Sequence, residues 1–322
     1  MRKLGNKYLV SAYATSPCFD HWDPSVESNY FTYLSQNPHI SGIEHPFFLN
    51  SNKYPIEWML RNTPDHWNMA LTILPALMEI SKTNPDFGLA SKNEIARSKA
   101  IALIEDVKHY VARMNQLFNR TIIGTIHIQS SPRNNDGILK GSQDSFYRSL
   151  QEIEQMGWGD IQINIEHCDA FNLRNPVDKG FLPIEQELEI IKELQFYGMV
   201  LNWGRSTIET RSSVGPLKHI QLSKEHLKGF IFSGCTNNSF SEYGEWIDSH
   251  IPPRNFIDSE YLKSESLLGY EEIKSTLCEL NDKDIYYGIK VLDKNTDKHL
   301  ERSIGINHDT IRAIEYVHKS IS

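Results

Sequence analysis

Residues 161–169 read Ile-Gln-Ile-Asn-Ile-Glu-His-Cys-Asp. Apolar and polar side chains alternate with the period of a strand, and the run ends in four groups able to bind a proton or a metal. A strand that delivers ionisable residues at its C-terminal end marks a site in a parallel α/β fold. Runs of this kind recur. Candidate strands cover residues 8–13, 40–44, 69–74, 121–128, 160–166, 199–203, 229–233 and 285–291, most of them short, rich in β-branched residues and bounded by Gly, Pro or Asn.

Helical periodicity lies between them. Residues 92–118 place Ile95, Ala102, Leu103, Val107, Val111, Met114 and Leu117 near helical spacing, and similar patterns cover 142–156, 184–197 and 308–321. Strands alternating with helices argue for a parallel sheet, and eight units argue for closure into a (β/α)8 TIM barrel occupying residues 1–322 as one domain. A doubly wound open sheet is the alternative; the GxGxxG of its dinucleotide-binding version is absent. Two insertions, near 47–66 and 235–254, are expected on the C-terminal face.

Composition narrows the function. No apolar run approaches the roughly 18 residues of a membrane span, and the basic start, Met1 to Lys7, leads into a short strand rather than a signal peptide's apolar core. The four cysteines, Cys18, Cys168, Cys235 and Cys278, form no CxxC pair, which fits a reducing, cytoplasmic setting. Net charge is −8, from 33 basic and 41 acidic residues without a basic block, so no nucleic-acid partner is expected. Neither is a membrane partner. The expected ligand is a small carbohydrate-like molecule, and a homo-oligomer is compatible with the sequence.

In a barrel the C-terminal strand ends converge. The first strand brings Ser16 and its neighbours, the second Glu44 and His45, the fourth His127 and Gln129, and the fifth Glu166, His167 and Asp169. The sixth brings Asn202, Arg205 and Ser206, the seventh Ser233 with Asp248 and His250 in its loop, and the eighth Lys290. His167 follows Glu166 and should point to the helix layer.

The order of these strand ends resembles the xylose isomerase-like barrels, which include sugar isomerases, epimerases, inosose dehydratases and endonuclease IV-type enzymes. More narrowly, the chain resembles the bacterial family DUF4862. The segments carrying that resemblance are Gly42-Ile43-Glu44, Leu60-Arg61-Asn62-Thr63-Pro64-Asp65-His66-Trp67, Phe87-Gly88-Leu89-Ala90-Ser91, Ile165-Glu166-His167-Cys168-Asp169-Ala170, Leu201-Asn202-Trp203-Gly204-Arg205-Ser206 and Asp248-Ser249-His250. The broader superfamily implies a divalent metal held by Glu, Asp, His and Glu from the fifth to eighth strands. Carried over by position, these places hold Glu166, Asn202, Ser233 and Lys290. Two carboxylates and a histidine are lost and a cation is gained, which weakens the case for a 2+ ion.

Two readings of that change stay open. In one, a metal (Mn2+, Zn2+ or Mg2+) persists on Glu166, Asp248 and His250, with His127 or His167 as a further ligand. In the other, Lys290 and Arg205 replace it as fixed positive charge for a substrate oxyanion. The resemblance and the strand ends together imply a sugar or sugar-acid isomerase or epimerase. Glu166, His127, His250 and Lys290 are the candidate catalytic residues. Glu44, His66, Trp67, Gln129, Asn202, Arg205 and Trp246 are the candidate substrate contacts. A carbohydrate-binding barrel without catalysis is one alternative; a glycoside hydrolase or lyase built on Glu44 and Glu166 is another.

Overall fold

The computed structural model describes residues 7–49, 53–134, 138–175, 177–280, 284–294 and 299–321. Within them, eight parallel strands close into a barrel in sequence order. They are β1 (Tyr8–Val10), β2 (Ile40–Pro46), β3 (Asn68–Thr72), β4 (Ile123–Ile128), β5 (Gln162–Glu166), β6 (Gly198–Asn202), β7 (Leu227–Phe232) and β8 (Tyr286–Ile289). Strand β8 pairs back on β1, with Leu9 opposite Gly288. Each stretch expected to be a strand contains one. The first is shorter than expected because Ala12–Ala14 curls into a 3-10 turn.

The helices are α1 (Pro24–Ser35), α2 (Ile56–Asn62), α3 (Leu74–Ser81), α4 (Glu94–Leu117), α5 (Gln143–Glu154), α6 (Ile184–Leu194), α7 (Trp203–Thr210), α8 (Gly215–Ser223), α9 (Tyr270–Leu280) and α10 (Leu300–Ile321). Their starts are written locally. Asp23 caps α1 by accepting from the Ser25 and Val26 amides, with Pro24 at the first helical position, where its missing N–H costs nothing. Asn93 caps α4 and Ser142 caps α5 in the same way. Helix α10 begins earlier than residue 308, packs between α9 and α1, and buries Ile306, Ile311, Ile314 and Val317.

The buried face of α4 keeps Leu103, Val107, Val111 and Met114 of the expected positions and departs from them at Ile95, Ala102 and Leu117. Ile101, Ile104, Val107, Val111 and Met114 face the barrel, whereas Ile95 and Leu117 are exposed. A 24-residue helix with mixed polarity has more than one apolar stripe, and only docking against β4 and α5 selects between them.

Two long connections shape the C-terminal face. The one after β7 reaches α9 and is strapped down by an antiparallel bridge, Gly234 with Ile251. The 47–66 insertion divides differently from the expectation. Its first part lies beyond β2 on the C-terminal face, α2 runs down the barrel wall, and residues 63–67 sit at the opposite end, leading into β3. Asn50, Ser51 and Asn52 lie outside the described residues.

Candidate functional site

Alternation along β5 builds the interior. Ile163 and Ile165 face outward into the helix-covered core, while Asn164 and Glu166 face inward and are equally buried. Asn164 donates to Thr125 Oγ1 on β4 at 2.7 Å, and Gln129 donates to Glu166 Oε2 at 2.8 Å. Deeper in the barrel, Tyr286 on β8 reaches His127 on β4, with hydroxyl and Nε2 2.5 Å apart and the rings stacked. Gly229 on β7 makes the room; a Cβ there would come within 2.2 Å of the tyrosine ring.

Above this floor stand two buried ion pairs. In the first, Lys290 Nζ lies 3.0 Å from Glu44 Oε2, with the two residues 2% and 3% exposed. Ser11 donates to the same oxygen at 2.5 Å, and the Tyr13 ring centroid is 5.4 Å from the ammonium. His127 Nδ1 lies 3.6 Å from Glu44 Oε1, beyond hydrogen-bond reach. In the second, Arg205 Nη1 donates to Glu166 Oε1 at 2.6 Å and its Nε donates to Asp248 Oδ2 at 2.9 Å. Strand β6 runs into α7 without a loop, and the Asn202 side chain caps the turn by accepting from the Arg205 amide at 3.2 Å. That cap fixes where the guanidinium enters the mouth.

Burial alone would raise both carboxyl pKa values, but the facing cations outweigh it. Glu44 is held far below the usual range, chiefly by Lys290, and Glu166 is lowered chiefly by Arg205 and Lys290. Burial opposes the charge on Lys290, yet Glu44, Tyr13 and Glu166 push its pKa up. His250 behaves oppositely: burial pushes it down to about 3 despite Asp248. At neutral pH the mouth therefore carries ionised Glu44, Glu166, Lys290, Arg205 and Asp248 beside a neutral His250.

Several polar atoms here are buried without a hydrogen-bond partner: Glu44 Oε1, His127 Nδ1, Gln129 Oε1, Asn164 Oδ1, Asn202 Nδ2 and Arg205 Nη2. Each such atom costs roughly 1–3 kcal/mol if nothing meets it. Donors and acceptors clustered in this way suit a ligand rich in hydroxyls. Beside Tyr13 lies a cavity of 220 Å³ lined by Tyr13, Ser16, Phe19, Trp22, Phe48 and Tyr54, among others. This cavity's aromatic wall comes from the loops after β1 and β2, and Tyr13 is the residue it shares with the ion-pair site.

Three sequence expectations need correction. His66 and Trp67 precede β3 and lie at the N-terminal end of the barrel; His66 is exposed, and Trp67 is buried against Phe31 with ring centroids 5.5 Å apart. Neither reaches the site. Trp246 sits on the β7–α9 connection against the Arg211 guanidinium and lines a separate cavity with Asn175, Arg211 and Glu245. The ligand set Glu166, Asp248 and His250 does not converge, because Arg205 lies between Glu166 and Asp248, and His250 Nδ1 contacts Ser233 Oγ at 2.8 Å and Asp248 Oδ1 at 3.1 Å. Gln129, Asn202, Arg205, Glu44, His127 and Lys290 do come together with Glu166.

Four participants were missed. Ser11 continues the inward spacing of β1 and is findable by counting in twos, whereas Tyr13 lies in the 3-10 turn, where that count no longer holds. Tyr286 on β8 and Lys179, whose ammonium lies 3.4 Å from Asp248 Oδ2, give no local signal. Ser16 is turned away, donating to Glu27 at 2.6 Å. His167 points into the helix layer, as the alternation requires.

The resemblance implies a barrel metal, and the residues can be tested against one. Glu44, His127 and Glu166 bring donor atoms within 4.8 Å of one another. Each carboxylate, however, already faces a buried cation, Lys290 at 3.0 Å and Arg205 at 2.6 Å. A 2+ ion would have to share those anions with two fixed positive charges at close range. The present residues do not fit it.

Comparisons with known proteins give the family and the fold. A family model described as a domain of unknown function, DUF4862, matches residues 9–306. An uncharacterised protein of Salmonella typhimurium, STM3670, is 31% identical over 318 residues, covering 97% of this chain and 98% of the relative. Among solved structures, a xylose isomerase domain-containing protein of Salmonella typhimurium superposes with a TM-score of 0.59 at 10% identity, over 99% of both chains. A D-tagatose 3-epimerase-like protein superposes with a TM-score of 0.54 at 15% identity, over 88% of this chain and 91% of that one. The chain belongs to the DUF4862 family, and its closed barrel is of the xylose isomerase-like kind.

Proposed function

We propose that this barrel is an isomerase or epimerase of a small sugar or sugar acid, working by proton transfer between the Glu44–Lys290 and Glu166–Arg205 pairs. The observation that carries this reading is the pairing itself: two buried, ionised carboxylates face two buried cations among unpartnered polar atoms, at the C-terminal strand ends. The similarity to an epimerase-like barrel supports it, as a likeness of fold.

A substrate carbonyl oxygen entering beside Tyr13 meets Lys290 and competes with Glu44 for the ammonium. As negative charge develops on that oxygen, Lys290 and the free Arg205 Nη2 stabilise it. Glu166 takes the proton from the neighbouring carbon. As the cations turn to the substrate, the carboxylates lose the charge that depresses their pKa and become stronger bases. Glu166, once protonated, returns the proton to the adjacent carbon, which completes an isomerisation.

A hydrolase is disfavoured by the same electrostatics. Glycosidic cleavage needs one carboxyl kept protonated, and both candidates are held ionised. A carbohydrate-binding barrel without catalysis is the second reading, favoured by the tightness of the ion pairs, which weakens both carboxylates as bases. Incubation with aldoses, ketoses and sugar acids in D2O separates the two. Proton transfer places deuterium on a substrate carbon with wild-type protein, and Glu166→Gln, still folded, abolishes it. A thermal shift with sugars but no deuterium incorporation overturns the enzymatic reading, and so does full activity in folded Glu166→Gln.

A further inference from the structure

Behind the barrel wall, outside the mouth just described, a second cluster gathers. His167 leaves the end of β5 on the face opposite Glu166 and meets Glu209 in the last turn of α7 and His219 in α8. His167 Nε2 lies 2.9 Å from Glu209 Oε2, and His219 Nε2 lies 3.8 Å from Glu209 Oε1. The two imidazoles stand at 75° with centroids 5.3 Å apart, and the facing donor atoms all lie within 4.8 Å of one another. We propose that His167, His219 and Glu209 form a binding site for a zinc-type divalent metal that ties β5, α7 and α8 together.

The orientation of the rings carries the argument. His167 uses Nδ1 on Glu187 Oε2 at 2.7 Å, and Glu187 is itself held by the Ser130 hydroxyl on its other oxygen. His219 uses Nδ1 on Ser206 Oγ at 3.0 Å. Both rings are thus fixed through one nitrogen, and both present Nε2 towards the same carboxylate. Metal-binding histidines are held in this way, with the remote N–H given to a carboxylate or another acceptor that fixes tautomer and angle. Glu209 is fixed too, since its Oε2 accepts the Ala170 amide at 2.9 Å.

Two imidazole nitrogens and one carboxylate match the mixed N/O set that zinc accepts, with a fourth place for water. Ligand bonds of about 2.0–2.2 Å require ligand atoms roughly 3.3 Å apart in a tetrahedral site. The two histidine–carboxylate distances, 2.9 and 3.8 Å, lie on either side of that value, each to a different oxygen of Glu209. The His167 and His219 side chains are nearly sealed, and Glu209 is 16% exposed, which gives the ion an approach from one side. The alternative occupant is a proton on His167, shared between Glu187 and Glu209.

The test is metal retention by the full chain, first stripped with chelator, then loaded with Zn2+ or Co2+ and desalted. Wild-type protein should keep stoichiometric metal, with Co2+ giving the visible absorption of a low-coordinate nitrogen-ligated site, and Zn2+ should raise its melting temperature. Glu166→Gln should keep the metal, because its side chain faces the barrel interior. His219→Gln should lose retention, with affinity reduced on the order of tenfold or more. Glu209→Gln, near-isosteric and able to keep the Ala170 contact, serves if His219→Gln does not fold. No retention by wild type overturns the site, as does equal retention by both ligand variants. Loss in Glu166→Gln alone would place the ion in the barrel mouth instead and overturn the proposal equally.

Discussion

Lys290→Met tests the electrostatic core of the site. The side chains are similar in length, so packing changes little and the charge is what disappears. Lys290 is 2% exposed and stands 3.0 Å from Glu44. At an effective dielectric of ~20, charges at that separation attract by about 5.5 kcal/mol. Desolvation consumes much of this in the intact pair, but breaking a buried pair from one side typically costs about 3–5 kcal/mol, because the remaining charge is stranded. In urea unfolding followed by fluorescence of the buried Trp67 and Trp203, the variant should lose that amount at pH 7. The pH dependence has a definite sign. In the wild type the depressed Glu44 pKa stabilises the fold above the unfolded-state carboxyl pKa, and this stability is lost as pH falls. In the variant, burial without Lys290 raises the Glu44 pKa, so the folded state binds the extra proton and stability falls as pH rises above about 4.3. The gap between wild type and variant should therefore widen from pH 5 to pH 7, by up to ~1.4 kcal/mol per unit. Glu44→Gln added to Lys290→Met should recover most of the loss. A deficit below about 1 kcal/mol, or one independent of pH and not rescued by Glu44→Gln, would refute the buried pair.

Other outcomes follow from the same geometry. Gly229→Ala should cost about 1–3 kcal/mol by driving a methyl into the Tyr286 ring, and should weaken the contact of that tyrosine with His127; a variant as stable as wild type would show that the ring has room to move. Burial pushes His45 down to about 4 and His250 down to about 3, so both stay neutral in the folded state while the unfolded chain protonates them. Unfolding free energy should fall as pH drops from about 6.5 towards 4, at up to ~1.4 kcal/mol per unit for each histidine. A slope unchanged by His45→Gln would count against the contribution of His45.

The barrel was legible because its signals are local. Residues 161–169 carry their alternation, their charged end and their direction within nine positions. Alternation also tells which way Glu166 and His167 face. The failures were of a different kind. His66 and Trp67 were placed at the mouth because a loop was taken to stay on one face, whereas α2 carries the chain to the other end before they occur. Glu166, Asp248 and His250 were grouped as ligands because all belong to the C-terminal face, without knowledge that Arg205 stands between them.

Sequence by itself determined the eight strands, four of the helices between them and most of the side chains delivered to the strand ends, because those depend on a period of two or 3.6 residues and on neighbours along the chain. Tertiary structure alone decided which charges meet. Glu44 and Lys290 are separated by about three quarters of the chain and become partners only when β8 closes on β1 beside β2; His167 finds Glu187, Glu209 and His219 only when α6, α7 and α8 pack behind β5. A carboxylate becomes a ligand, a base or half of an ion pair according to what lies within a few ångströms of it and how little water reaches it, and both conditions arise only once the barrel closes.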